Sequence, residues 1–210
     1  MRRPAIYGLS AFVALLVCSA AQASIIAQFT GTTASGSNTS YNYNLLFSTQ
    51  SGVDRLEAGS GGLNPGHIGS PDFITLYDVA SNAPGGNFVS ASAGSGFALQ
   101  VQNAGINASQ TLPIDDLNLL NLTYTYTGPT ISTDTVFPGF SIVVNNNDGT
   151  TLKQFTSQYT DNAGPELDTK VSQIGVVAVP KTTISIPEPS TIALGLMGVV
   201  GLMGWRKGRR

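Results

Sequence analysis

A single histidine, His67, stands in Asn64-Pro65-Gly66-His67-Ile68-Gly69. A serine–histidine–aspartate triad would have to use it, because that mechanism needs an imidazole to carry the proton. No Gly-x-Ser-x-Gly elbow accompanies it, so His67 reads as a residue of a Gly/Pro loop. Zinc asks for three or four clustered Cys, His or carboxylate ligands, and one histidine does not supply them. Asn146 and Asp148 in Asn145-Asn146-Asn147-Asp148-Gly149 offer the hard oxygens that suit calcium. The spacing falls short of a full calcium loop and no acid closes it. Asp148-Gly149 reads instead as a hairpin turn. Asp115 and Asp116 are adjacent carboxylates. On a strand they would point to opposite faces, so a shared site needs a turn or a helix start, and capping is the reading that fits. Thr123, Thr125 and Thr127 form a row at strand spacing. Flat threonine arrays serve ice-binding surfaces, but one row without repetition reads as a solvent-facing β surface. A glycosidase needs two facing carboxylates at a set separation, and the acids here permit such a pair without pointing to one. The residues thus nominate no catalytic group, no metal site and no cofactor.

The elements that would position any site are strands. Tyr41, Tyr43, Leu45 and Phe47 share one face opposite Asn42, Asn44 and Ser48. Leu120, Leu122, Tyr124 and Tyr126 alternate with Asn121 and the threonines. Phe140, Ile142 and Val144 make a third such face, and Phe97, Leu99 and Val101 a fourth. Alternation of this kind marks half-buried strands. The runs 73–79 and 174–179 are more continuously apolar, as central strands can be. Further strands are expected near 25–30 and 151–159. Gly/Pro-rich loops fall at 59–71 and 80–87, and a short helical turn near 114–119. The expected fold is all-β, an antiparallel, jelly-roll-like β-sandwich over residues 24–181, followed by a linker at 182–186.

Both ends differ from this middle. Arg2 and Arg3 precede an apolar run from Ala5 to Ala20, and Ala21-Gln22-Ala23 is a small-x-small cleavage site. Residues 1–23 therefore read as a signal peptide, handled by the general secretion machinery and cut by signal peptidase between Ala23 and Ser24. Cys18, the one cysteine, leaves with it. Residues 24–186 hold four basic and eleven acidic residues, a net charge of −7. That balance argues against nucleic acid as a partner and suits a secreted protein.

The last stretch, 187–210, opens on Pro187, Glu188 and Pro189. Two prolines fix φ and remove donors, which leaves an extended segment open to a processing enzyme. From 190 to 205 no residue is charged. As a helix this run measures roughly 24 Å at 1.5 Å per residue, a single short transmembrane span. Arg206, Lys207, Arg209 and Arg210 then place the C-terminus in the cytoplasm. An ordinary single-pass anchor carrying two prolines is the alternative.

The three parts in this order resemble the PEP-CTERM sorting signal of Gram-negative bacteria. The internal strings Asp72-Phe73-Ile74-Thr75-Leu76-Tyr77-Asp78 and Asn121-Leu122-Thr123-Tyr124-Thr125-Tyr126-Thr127-Gly128 resemble segments of ectodomains that carry such tails. The resemblance implies an exosortase as partner and processing near Pro187, Glu188 and Pro189. It implies transient anchoring in the inner membrane, then a non-enzymatic role at the cell surface or in an extracellular, exopolysaccharide-rich matrix. A carbohydrate-binding or carbohydrate-cleaving secreted module is the other expectation.

Overall fold

The computed structural model describes residues 24–49, 52–162 and 167–182. The segments 1–23 and 187–210, with the expected signal peptide, Pro-Glu-Pro motif, membrane span and basic tail, lie outside the described residues. Ten strands follow one another among the described residues: β1 (Ser24–Ser35), β2 (Asn38–Ser48), β3 (Asp54–Arg55), β4 (Phe73–Ala80), β5 (Phe88–Ser92), β6 (Phe97–Gln102), β7 (Leu120–Tyr126), β8 (Thr135–Val144), β9 (Thr150–Asp161) and β10 (Lys170–Pro180). One sheet has the order β1-β2-β8-β5. The other runs β10-β9-β4-β7-β6, with β3 added beside β9. Every pairing is antiparallel, and no helix interrupts the described chain.

The expected alternation on β2 is present without a fault. Tyr41, Tyr43, Leu45 and Phe47 are buried, and the residues between them are half-buried. Their partners across the sandwich include Leu122, Tyr124 and Phe155. Phe140 from one sheet meets Tyr124 from the other edge-on, with ring centroids 5.0 Å apart at 87°. Such pairs add roughly 0.5–1.5 kcal/mol beyond the area they bury. The β1–β2 turn has two central residues, and Gly36 there adopts φ 63°, a conformation that glycine enters at little cost.

β4 is buried along its whole length, as its mostly apolar run predicts, with Thr75 and Asp78 buried too. Its inner residues Ile74 and Leu76 join the core. Its outer residues are covered by a loop. Thr75 Oγ1 donates to the Ile106 carbonyl at 2.7 Å, and the Tyr77 hydroxyl donates to Asn107 Oδ1 at 2.6 Å. Only the start of the threonine row lies beside that loop. Thr123 is fully buried within hydrogen-bonding distance of the Thr75 hydroxyl, at 2.9 Å. Thr125 is half-buried and Thr127 is exposed. The three do not form the solvent-facing array that their spacing suggests.

Two local expectations change. The 174–179 run belongs to β10, an edge strand rather than a central one, with Ile174 and Val176 facing outwards. Asp148-Gly149 closes no hairpin. Val144 ends a strand of one sheet and Thr150 begins a strand of the other, so the turn is an arch between sheets. The expected helical turn near 114–119 is present as one hydrogen-bonded turn, in which the Leu119 amide donates to the Asp116 carbonyl at 2.8 Å.

Two core hydroxyls, on Tyr43 and Tyr124, are buried without a hydrogen-bond partner. Burial pushes both phenols well above their ordinary range. An unsatisfied buried hydroxyl costs roughly 1–3 kcal/mol. Tyr43→Phe and Tyr124→Phe are therefore expected to leave stability unchanged or raise it by up to about 1 kcal/mol each in urea unfolding. A loss beyond about 1 kcal/mol would mean that the hydroxyls are satisfied after all.

Candidate functional site

The densest polar cluster lies at the end of the larger sheet where β10 begins. Lys170 is its centre, and its side chain is wholly buried. Its ammonium donates to Glu57 Oε1 at 2.9 Å, to Asp72 Oδ1 at 2.9 Å and to the Thr160 hydroxyl at 2.5 Å. Asp72 also accepts the Glu57 amide at 2.8 Å and the Thr160 hydroxyl at 3.0 Å. Glu57 reaches the other way, where Arg55 Nε donates to its Oε2 at 3.0 Å. Arg55 in turn is ion-paired with Asp168 and donates to Asn162 Oδ1 at 3.1 Å.

The electrostatics follow burial. Desolvation pushes the Asp72 carboxyl up to about 7, against the lowering pull of Lys170 and its hydrogen bonds. For Glu57 burial acts upwards too, but Lys170 and Arg55 outweigh it and hold that carboxyl below its ordinary range. Burial and the like charge of Asp161 push Asp54 up to about 6. The three N–H bonds of the Lys170 ammonium are all committed within the cluster. The arrangement therefore ties β3, β9 and β10, Asp72 at the head of β4, and Asn162 and Asp168 into one unit. As built, it does not present an activated nucleophile.

The residues singled out by chemistry are scattered. His67 lies exposed in its loop, its amide donating to the Asn64 carbonyl at 3.2 Å. Asp115 and Asp116 serve different partners. Asp115 accepts the Gly105 amide at 3.0 Å and the Asn121 side chain at 2.8 Å, while Asp116 accepts the Asn118 amide at 3.0 Å. Asn146 Nδ2 donates to Asp148 Oδ2 at 2.7 Å. Among the described residues no group of three or more His, Cys, Asp or Glu is arranged to hold a metal ion. An open groove of about 600 Å³ runs between residues 109–111 and residues 169–172, over the clamp.

Ser24, the expected first residue of the exported chain, opens β1 and is buried opposite Ser48. The other expected site residues, Ala21, Ala23, Pro187, Glu188, Pro189, Arg206, Lys207, Arg209 and Arg210, lie outside the described residues. What is described is where the chain departs towards them. β10 ends at Pro180. The Lys181 amide donates to the Gly149 carbonyl at 3.0 Å, and the Tyr41 hydroxyl donates to the same carbonyl at 2.9 Å. Asn87 Nδ2 donates to the Lys181 carbonyl at 3.4 Å. The exit is thus fastened to the arch between the sheets, at the end of the sandwich remote from the Lys170 clamp. The eleven residues of β10 separate the two by roughly 33 Å at strand rise.

The chain is thus a two-sheet antiparallel domain whose last strand leads, through a fastened exit, into a tail with the composition of a membrane-sorting signal. A family model described as the PEP-CTERM protein-sorting motif matches residues 185–210. The chain carries that motif, which marks an exported protein sorted by an exosortase from a membrane-anchored state. No curated protein matches the chain.

Proposed function

We propose that the protein is a non-enzymatic component of the cell surface or extracellular matrix of a Gram-negative bacterium, associated with exopolysaccharide after its release. The observation that carries this reading is the junction between domain and motif. β10 ends at Pro180, the exit is fixed at Lys181, and the motif match begins at residue 185. A folded domain is thus joined to a sorting tail by a minimal linker, the build of a passenger whose destination is outside the cell. In this reading Ala21 and Ala23 direct signal peptidase to Ser24, and Arg206, Lys207, Arg209 and Arg210 hold the tail's end in the cytoplasm until processing.

A carbohydrate-binding role is the second reading, favoured by the groove over the clamp. Its lining includes Ser109, Thr111 and Thr169, hydroxyl-bearing residues that suit a polyhydroxylated ligand. Deleting the exosortase of a producing host is expected to leave the protein in the inner membrane with its C-terminus intact, as cell fractionation and mass spectrometry of the C-terminal peptide would read. Release of an uncut chain by the wild-type host would sink the sorting part. Co-sedimentation of released protein with exopolysaccharide, a glycan array and a reducing-sugar assay separate matrix association, specific binding and cleavage.

A further inference from the structure

Two strands bound each sheet, and three of the four are poor templates for pairing. β5 and β6 have five and six residues. β1 is broken by a bulge between Phe29 and Gly31. β10 is different. Its eleven residues pair with β9 without a register shift, from Lys170 opposite Thr160 to Pro180 opposite Thr150. Among the described residues no strand pairs with its other side. Native edges are normally blunted by bulges, charges or short length, because their open N–H and C=O groups recruit another strand. The one charge on β10 is Lys170, and its ammonium is buried in ion pairs. The outward Ile174 and Val176 are 43% and 62% exposed.

We propose that this edge binds a second copy of the chain, β10 against β10, antiparallel about Gly175. Antiparallel partners keep their faces only when paired residues are of the same inward or outward set. A two-fold axis at Gly175 satisfies this and runs the new ladder from Lys170 to Pro180, where Pro180 alone has no N–H to donate. It sets Ile174 opposite Val176 of the second copy, and Val176 opposite the Ile174 of that copy. The exposed apolar pair therefore covers its own symmetry mate, as an isologous interface requires. Charge permits the contact. Residues 24–186 carry −7 overall, yet no acid lies on β10, so no like charges face each other across the new ladder. The chain's own tail is a poor occupant of the edge. Residues 183–186 would be used up in turning back, and Pro187 and Pro189 lack the N–H that a ladder needs.

The test is sedimentation of the full chain in detergent micelles across a dilution series. The wild type is expected to be a dimer that dissociates on dilution. A nitroxide at Val176→Cys is expected to show dipolar broadening, because the two labels sit on diagonal neighbours with Cα atoms about 7–8 Å apart. Ile174→Lys with Val176→Lys places lysine opposite lysine and is expected to give a monomer. Ile174→Lys with Val176→Glu places lysine opposite glutamate and is expected to restore the dimer, now weakened by salt. Both positions are exposed, and circular dichroism is expected to report an unchanged β fold in each variant. A wild type that is monomeric throughout would overturn the proposal. So would a dimer that survives the lysine pair, or equal behaviour of the two double variants. None of these outcomes depends on whether an exosortase processes the tail.

Discussion

Lys170→Met is expected to destabilise the domain by about 3–5 kcal/mol at pH 8, the cost of leaving buried carboxylates without their cation. Lys170 neutralises Asp72, which is fully buried, and Glu57, which is mostly so. Methionine of similar length fills the space and removes the charge. The pH dependence identifies the cause. Asp72 has a folded-state pKa already raised to about 7 by burial, and loss of Lys170 removes the group that pulls it down. A carboxyl with a raised folded-state pKa favours the folded state while protonated. Its contribution is complete below the unfolded value near 4 and is lost as pH rises through the folded value. The variant is therefore expected to lose stability more steeply than the wild type between pH 4 and pH 8, and to approach it near pH 4. Adding Asp72→Asn is expected to restore part of the loss at pH 8 and little at pH 4. Urea unfolding at the two pH values measures both. A loss of equal size at pH 4 and pH 8 would place its origin in packing rather than in charge.

This clamp could not be read in the chain. Arg55 and Asp168 are 113 positions apart, as are Glu57 and Lys170. Nothing local distinguishes Lys170 from the exposed Lys181, and only the pairing of β9 with β10 brings Thr160 beneath its ammonium. The alternating faces of β2 and β7 were legible because alternation is a local property of one strand. The place of β10 was not, because a continuous apolar run predicts burial on both faces and says nothing of a missing neighbour. Asp148-Gly149 carries a hairpin signal, but Val144 is paired to Thr39 and Phe88 while Thr150 is paired to Pro180, and those distant partners decide the connection. β5 was not legible because Phe88-Val89-Ser90-Ala91-Ser92 has no sustained alternation of apolar and polar residues, and three of the five are exposed. The sorting tail, by contrast, was legible without any fold, since its three parts are contiguous and the family match at 185–210 falls on them.

Replacing Pro187, Glu188 and Pro189 together with alanine is expected to abolish release, leaving the whole pool in the inner membrane. Alanine is the best helix former and lacks the φ restriction of proline, so a helix formed by 190–205 in the membrane would be free to extend backwards through 187–189. A peptidase that grips extended backbone would then find its N–H and C=O groups already paired within the helix. Restoring only the prolines, with alanine kept at 188, separates backbone shape from the glutamate charge. Recovery of release by the prolines alone would assign recognition to shape, and no recovery would assign it to Glu188. Immunoblots of inner-membrane and culture-medium fractions read each case. Release of the triple-alanine chain at the wild-type level would remove the motif from the mechanism.

The fastened exit at Lys181 also fixes how the domain bears a mechanical load. The tail leaves from the end of β10, and that strand is paired along all eleven of its residues with β9. A pull on the chain beyond Thr182, directed along the strand, strains the rungs of that ladder together. A pull across the strand would open them one after another. β9 is itself held by β4 on its far side, so the strain passes into the middle of the sheet. The Lys181–Gly149 bond and the Asn87 contact are the first to be stretched, and they lie outside the ladder. They can give way under tension while the ladder stays closed, lengthening the leash to the membrane without unfolding what it holds.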